Sequence, residues 1–160
     1  EEINNDFLDK IFKTNIYSVF WGCKASQKYL EKTNGSIINI SSIAGKRGSS
    51  NNSGYVATKF AMNGITQSLS KELGNKKIRV NAICPVLIRT DGLLKALSEK
   101  SAPGYKDIDS FLETFKETQT ALNKLPSIND VAQMVLFLAS KNASAITGQC
   151  INVDCGVFPQ

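Results

Sequence analysis

Long amphipathic segments alternate along this chain with short apolar ones, and this alternation constrains the fold more than any other feature. The residues at 36–41 and 77–83 are rich in β-branched side chains and too few for helices, which predicts strands buried on both faces. Helical periodicity surrounds them at about 6–31, 54–74 and 128–140, and a last short strand is predicted at 151–153. Helices that alternate with buried strands predict a parallel sheet with helical crossovers, and therefore an α/β fold.

The segment at about 89–126 does not follow this alternation. It is long, polar and interrupted by Pro103-Gly104, with one amphipathic stretch between Ile108 and Leu122. Two interpretations stay open: a surface helix packed on the domain, or a lid over a substrate, because long insertions between regular elements often serve as lids. After it, Ser127 and Asp130 have the spacing of a helix N-terminal capping box.

Three polar residues stand where a strand end and a helix start can converge. Ser42 follows the first predicted strand, and Tyr55 and Lys59 are four apart in a predicted helix, so their side chains share one helix face. An ammonium about 4 Å from a phenol stabilises the phenolate by about 4 kcal/mol at an effective dielectric near 20. We therefore expect Lys59 to lower the pKa of Tyr55 and to make it a general acid and base near neutral pH.

A Tyr-x-x-x-Lys pair alone is a weak signal, but its surroundings make it specific. The sequence places NISSIAG at 39–45 before the pair and Gly64 after it, followed by IRVNAICP at 78–85, ITGQ at 146–149 and VDCG at 153–156. This ordered set resembles the short-chain dehydrogenase/reductase family from about residue 7 to the C-terminus, apart from the loop near 91–126. The resemblance implies that residues 1–160 are the C-terminal catalytic part of a single doubly wound parallel-sheet, Rossmann-like domain, with a substrate loop or lid at about 89–126.

The glycine-rich turn that holds a dinucleotide pyrophosphate after a first strand is not found in the sequence. By resemblance, the chain is therefore the C-terminal part of the fold, and the first βαβαβ half, roughly 60–100 residues, would be missing. Loss of that half would expose the edge of the strand at 36–41, and exposed edges invite aggregation. We expect that these 160 residues do not fold stably as an isolated monomer.

The resemblance implies catalytic roles for four residues of this sequence. Tyr55 matches the family's acid and base, Lys59 the lysine that also holds the nicotinamide ribose, and Ser42 the serine that orients the substrate oxygen. Asn15 matches the asparagine that interrupts the long helix and ties a water to the lysine in a proton relay. From the residues alone, a satisfied core amide is the alternative interpretation of Asn15.

The resemblance also implies cofactor contacts after the second strand. Pro85, Ile88 and Thr90 match the segment that holds the nicotinamide carboxamide. Val86 stands where the family commonly has glycine. Because valine disfavours positive φ, the backbone of this sequence is not expected to follow the family's conformation at this position. Near the end, Cys155 stands where the family's Asp-Gly-Gly usually has its first glycine, and we interpret that segment as structural.

The activity implied is hydride transfer between NAD or NADP and a small-molecule carbonyl or secondary alcohol, in a homodimer or homotetramer built from the helices at 6–31 and 54–74. The alternative is a truncated, non-catalytic module that acts through protein–protein association. The sequence identifies neither the substrate nor which of the two cofactors is used.

Composition excludes several other classes. The chain has no histidine, which excludes a Ser-His-Asp hydrolase, and its 4 cysteines lack metal-ligand spacing, so no metal site is predicted. The net charge of +5 comes from scattered lysines rather than a basic stripe, which argues against nucleic acid as a partner. No apolar run has the ~20 residues needed to span a bilayer. We expect a cytoplasmic protein with reduced thiols.

Overall fold

Three parallel strands form the centre of the structure, a computed structural model that describes residues 3–159. They are β1 (Ser36–Ile40), β2 (Arg79–Pro85) and β3 (Cys150–Val153), in the order β1-β2-β3. Ser36 pairs with Arg79 in the first ladder and Ala82 with Cys150 in the second. The middle strand is the most deeply buried, as its apolar run predicts.

Helices cover both faces of this sheet. On one face lie α1 (Asn5–Phe12), α2 (Ser18–Leu30) and α3 (Ser53–Glu72), and on the other lies α6 (Ile128–Ala139). Leu73, Ile78 and Val80 form the core beneath α2 and α3. Ile83 and Leu138, both fully buried, form the core beneath α6.

The buried side of α3 is unusually polar. Lys59, Asn63, Thr66 and Ser70 recur at helical spacing and are all buried. Each has an internal partner: the Thr66 and Ser70 hydroxyls donate to carbonyls of their own helix, and the Asn39 amide donates to the Thr66 hydroxyl at 2.9 Å. Buried polar groups that are satisfied in this way let a polar helix face pack on a sheet.

The segment between β2 and α6 contains two further helices, α4 (Asp91–Leu97) and α5 (Ile108–Gln119). Leu112 of α5 is buried, and Phe115 packs on a cluster formed by Ile43, Val86 and Val157. This cluster lies beyond the carboxyl ends of the strands and brings together the segments that follow all three of them.

The fold class inferred from the sequence is confirmed: the chain forms the C-terminal part of a doubly wound, Rossmann-like parallel sheet. The capping box at Ser127 and Asp130 is also present. One element differs from its prediction, because the helix expected at 6–31 is split by a π-helical turn at Lys13–Tyr17. Within residues 3–159, no helix has the length and apolar character needed to cross a membrane.

Candidate active site

Ser42 lies just beyond β1, where the chain leaves the sheet. The neighbouring Ser41 still donates its N–H to the carbonyl of Ile83 at 2.8 Å, which holds the end of β1 against β2. The extended Ser42 then caps a 3₁₀ turn at Ile43–Gly45 by accepting the N–H of Ala44 at 3.1 Å. The Ser42 side chain is therefore fixed at the carboxyl edge of the sheet.

Tyr55 lies in the first turn of α3, and its phenol is close enough to the Ser42 side chain to be influenced by it. Burial raises the pKa of Tyr55 above its ordinary value, and the hydrogen bond to the Ser42 side chain opposes this effect by favouring the phenolate. The structure thus brings together two of the residues that the sequence placed in one site.

Lys59 lies one helical turn after Tyr55, and its Nζ is 5.5 Å from the centre of the Tyr55 ring. The ammonium donates to the carbonyl of Ile40, the last residue of β1, at 2.8 Å. The lysine is buried, and this burial lowers its pKa, while negative charge on Cys84 acts in the opposite sense. Our prediction that Lys59 lowers the pKa of Tyr55 is wrong for this structure, because the ammonium faces the ring and a carbonyl, and burial dominates the pKa of the phenol.

Asn15 lies at the middle of the π-helical turn. Its side-chain amide donates to the Thr58 hydroxyl at 3.0 Å, and Thr58 in turn donates to the carbonyl of Tyr55 at 2.7 Å. Asn15 is therefore linked to the turn of α3 that carries Tyr55 and Lys59, through Thr58 rather than through a direct bond to the lysine. The relay role stays a prediction.

The segment after β2 lies at the same edge of the sheet. Pro85 is the buried last residue of β2, Ile88 is half-buried, and Thr90 caps α4 by accepting the N–H of Leu93 at 3.2 Å. Val86 does not have positive φ; it is buried against Ile43 and Val157. The substitution of valine for glycine is thus accommodated by packing in the cluster beyond the strands.

Three residues that our sequence analysis did not single out hold the Ser42 turn in place. The Asn63 amide donates to the carbonyl of Gly45 at 2.9 Å and accepts a weak bond from the Cys84 thiol at 3.8 Å. A Cβ at Gly45 would lie 2.7 Å from the carbonyl oxygen of Lys59. The spacing of Asn63 four residues after Lys59 was a usable signal, because such residues share a helix face. The contacts of Gly45 and Cys84 had no sequence signal.

Comparison with known proteins decides the family. A family model described as enoyl-(acyl carrier protein) reductase matches residues 1–158. The chain belongs to the short-chain dehydrogenase/reductase family. This dehydrogenase/reductase chain is 37% identical over 161 residues to L-2,3-butanediol dehydrogenase of Corynebacterium glutamicum, covering 98% of the chain and 61% of that protein. It is also 37% identical to the 3-oxoacyl-[acyl-carrier-protein] reductase FabG of Staphylococcus aureus, covering 94% of the chain and 56% of the reductase.

Solved structures agree with this assignment. Sorbitol-6-phosphate 2-dehydrogenase SrlD from Erwinia amylovora superposes with a TM-score of 0.89 at 27% identity, over 99% of the chain and 63% of that structure. A structure described as ElxO with NADP bound gives a TM-score of 0.84 at 29% identity, over 99% of the chain and 61% of that structure. The chain spans about three fifths of the length of the curated relatives it matches.

Proposed function

We propose that the protein containing this chain is an NAD(P)-dependent oxidoreductase that transfers a hydride between a nicotinamide cofactor and a carbonyl or secondary alcohol. The observation that carries this proposal is the convergence of Ser42, Tyr55 and Lys59 at the carboxyl end of β1, with the Lys59 ammonium 5.5 Å from the centre of the Tyr55 ring. Similar proteins described as dehydrogenases and reductases, some with NADH or NADP bound, support it.

The residues present fit the nicotinamide end of such a cofactor. An ammonium has three donors, and Lys59 directs one to the carbonyl of Ile40, which leaves donors for the hydroxyls of a ribose. The Thr90 hydroxyl accepts the N–H of Leu93 and retains its own hydrogen for a carboxamide oxygen. Pro85 and Ile88 would lie beside the ring at the same edge of the sheet. When bound, the cofactor accepts or supplies the hydride.

The residues of this chain would handle the proton. In alcohol oxidation the Tyr55 phenolate takes the hydroxyl proton, the carbon–hydrogen bond breaks with its electron pair leaving as hydride, and the carbon–oxygen double bond forms. In carbonyl reduction the neutral phenol gives its proton to the oxygen as hydride reaches the carbon. Ser42 would hold that oxygen beside Tyr55, Lys59 would orient the phenol and the ribose, and Asn15 would complete the proton relay.

The raised pKa of Tyr55 favours carbonyl reduction over alcohol oxidation at neutral pH. The phenol stays protonated there, which suits it to give a proton to a carbonyl oxygen. We therefore expect carbonyl reduction to proceed at neutral pH and to decline as pH rises through the pKa of Tyr55. Alcohol oxidation should increase over the same range.

A homodimer or homotetramer is part of the proposal. A groove of about 440 Å³ lies between α2 and α3, and the outer faces of the neighbouring helical segments expose large aromatic side chains. These are Tyr17, Phe20, Trp21 and Phe60. Aromatic side chains of this size are enriched at the centres of protein–protein interfaces.

Kinetics on the full-length protein test the oxidoreductase function. We expect Tyr55→Phe to reduce turnover by about 10²–10⁴-fold while the fluorescence change on binding NADH or NADPH persists. Lys59→Ala should abolish that fluorescence change, whereas Lys71→Gln, at an exposed position of the same helix, should alter neither. A full-length protein that binds neither cofactor would instead support a non-catalytic module acting through protein–protein association.

A further inference from the structure

The chain has three arginines, and they differ in what their guanidinium groups bind. Arg79 donates to the carbonyls of Leu138 and Ser140, and Arg89 pairs with the Asp109 carboxylate at 2.6 Å. Arg47 has neither kind of partner within residues 3–159; its guanidinium carbon lies 5.9 Å from the centre of the Phe158 ring. Arg47 as a whole residue is half-buried, and no carboxylate within residues 3–159 pairs with its guanidinium.

The backbone of Phe158, whose ring lies beneath Arg47, is hydrogen-bonded on both sides. The N–H of Phe158 donates to the Asp154 carboxylate at 2.9 Å, and its carbonyl accepts the Asn152 amide at 2.7 Å. Asp154 also accepts the N–H of Gly156 at 3.0 Å, so its carboxylate is committed to the chain terminus. The backbone of Phe158 is therefore held at both its N–H and its carbonyl, which fixes where the ring beneath Arg47 begins.

Phe158 lies at the same end of the sheet as Ser42. Phe158 packs on the cluster that contains Ile43, the residue directly after Ser42, and Phe115 of α5 packs on the same cluster. The backbone N–H of Arg47 donates to the carbonyl of Ile43 at 3.2 Å. This bond fixes the backbone from which the arginine side chain extends. The ring that Arg47 contacts thus packs on the same cluster as the residue after Ser42 and as α5, which lies in the segment that we considered as a lid.

We propose that Arg47 binds an anionic group, carboxylate or phosphate, on the substrate whose carbonyl or hydroxyl reaches Ser42 and Tyr55. This inference rests on the proposed function and narrows its substrate class. A guanidinium presents five donors in a fixed plane that matches either anion, and the contact of Arg47 with the Phe158 ring uses none of these donors.

Matched substrates with and without an anion test the assignment in the full-length protein. We would measure kcat/KM for 3-hydroxybutyrate against 2-butanol and for sorbitol 6-phosphate against sorbitol, and would titrate each anionic compound onto the protein loaded with NAD⁺ or NADP⁺. The two pairs distinguish carboxylate from phosphate. We expect one anionic member to be preferred, and Arg47→Met to reduce that preference by about tenfold or more, mainly through KM.

The controls separate charge from folding. Arg47→Lys should retain part of the preference because it keeps the charge, Phe158→Leu should reduce it partly because the ring beneath Arg47 is lost, and Lys71→Gln should leave it unchanged. Raising the ionic strength should weaken the preference in the unmodified protein.

The assignment would be overturned if Arg47→Met left the ratio of kcat/KM for anionic over neutral substrates unchanged. It would also be overturned if this substitution altered only the choice between NADPH and NADH. Binding of the anion that depends on Arg47 without hydride transfer would support the anion site and refute the oxidoreductase function.

Discussion

At the scale of single residues, two opposing effects set the pKa of Tyr55. Burial raises it, and the hydrogen bond from Ser42 lowers it. Since Ser42 stabilises the phenolate, Ser42→Ala should move the pKa of Tyr55 further upward. The alkaline decline of carbonyl reduction should then shift to higher pH. Ultraviolet difference titration of tyrosinate, with Tyr55→Phe as the reference, measures this pKa directly, and a downward shift would show that Ser42 does not stabilise the phenolate.

Gly45 carries a second prediction at this scale. A Cβ there would lie 2.7 Å from the Lys59 carbonyl oxygen and 2.8 Å from the Asn63 amide nitrogen, and the backbone carbonyl cannot move aside. We expect Gly45→Ala to lower the free energy of unfolding by about 1–3 kcal/mol and to displace the Ser42 turn. Gly64→Ala is the matched control, because Gly64 lies exposed in α3 with open space at its Cβ position. That control should stabilise the protein by about 0.5–1 kcal/mol.

Denaturant unfolding of both variants measures these changes. If Gly45→Ala proved as stable as Gly64→Ala, the close approach of α3 to the Ser42 turn would be incorrect.

Sequence reasoning predicted part of this site and missed the rest for identifiable reasons. Helical spacing is a local property, so it placed Tyr55 and Lys59 on one face of α3. The partner of the ammonium, the carbonyl of Ile40, depends on how closely the helix approaches the strand, and no residue pattern encodes that distance. The error about the pKa of Tyr55 has the same origin, because burial is a property of the folded chain.

At the scale of elements, periodicity located the strands and the long helices well. It did not reveal the π-helical turn at Lys13–Tyr17, because one extra residue in a turn barely changes the pattern of apolar positions. Nor did it reveal that Phe60 of α3 is exposed while the buried side of this helix is largely polar. Small polar residues whose hydrogen bonds are made inside the protein can be buried without producing an apolar stripe in the sequence.

The capping box of α6 gives a prediction for this element. The Ser127 hydroxyl accepts the N–H of Asp130 at 3.1 Å, and the Asp130 carboxylate accepts the N–H of Ser127 at 2.7 Å. Ser127→Ala should lower the free energy of unfolding by about 1 kcal/mol, and Ser101→Ala, at an exposed position outside any helix, should have little effect.

The same capping box has a pH dependence of known sign. Hydrogen bonds from Ser127 lower the pKa of Asp130. Its contribution to stability is therefore complete above the ordinary carboxyl pKa and is lost as pH falls through the lowered native value. Thermal unfolding of Asp130→Asn should show a deficit at neutral pH that narrows in acid. A deficit that stayed constant with pH would contradict this origin.

At the scale of the whole molecule, the chain exposes more surface than its mass requires. It exposes 9730 Å², whereas a compact monomer of 17.4 kDa is expected to expose about 7,800 Å². The excess of roughly 1,900 Å² has the size of a protein–protein interface. Ile40 on the edge strand β1 and Leu136 and Phe137 on α6 contribute to it.

We therefore expect these 160 residues, expressed by themselves, to self-associate or aggregate, because exposed apolar surface and the unpaired edge of β1 can bind other copies of the chain. The full-length protein should instead form a discrete dimer or tetramer. Sedimentation velocity measures both states. A monomer of the 160-residue chain that unfolds cooperatively would show that the chain is stable without any protein covering this exposed surface.

The central claim is that Ser42, Tyr55 and Lys59 move a proton while a hydride passes between substrate carbon and nicotinamide. Mass spectrometry of the reduced cofactor tests it, using the full-length protein and secondary alcohols deuterated at the carbinol carbon. We predict one deuterium in the reduced nicotinamide, formed rapidly by the unmodified protein and about 10²-fold or more slowly by Tyr55→Phe. Deuterium transfer at the same rate in Tyr55→Phe, or none from a broad panel of such alcohols despite bound cofactor, would contradict the account.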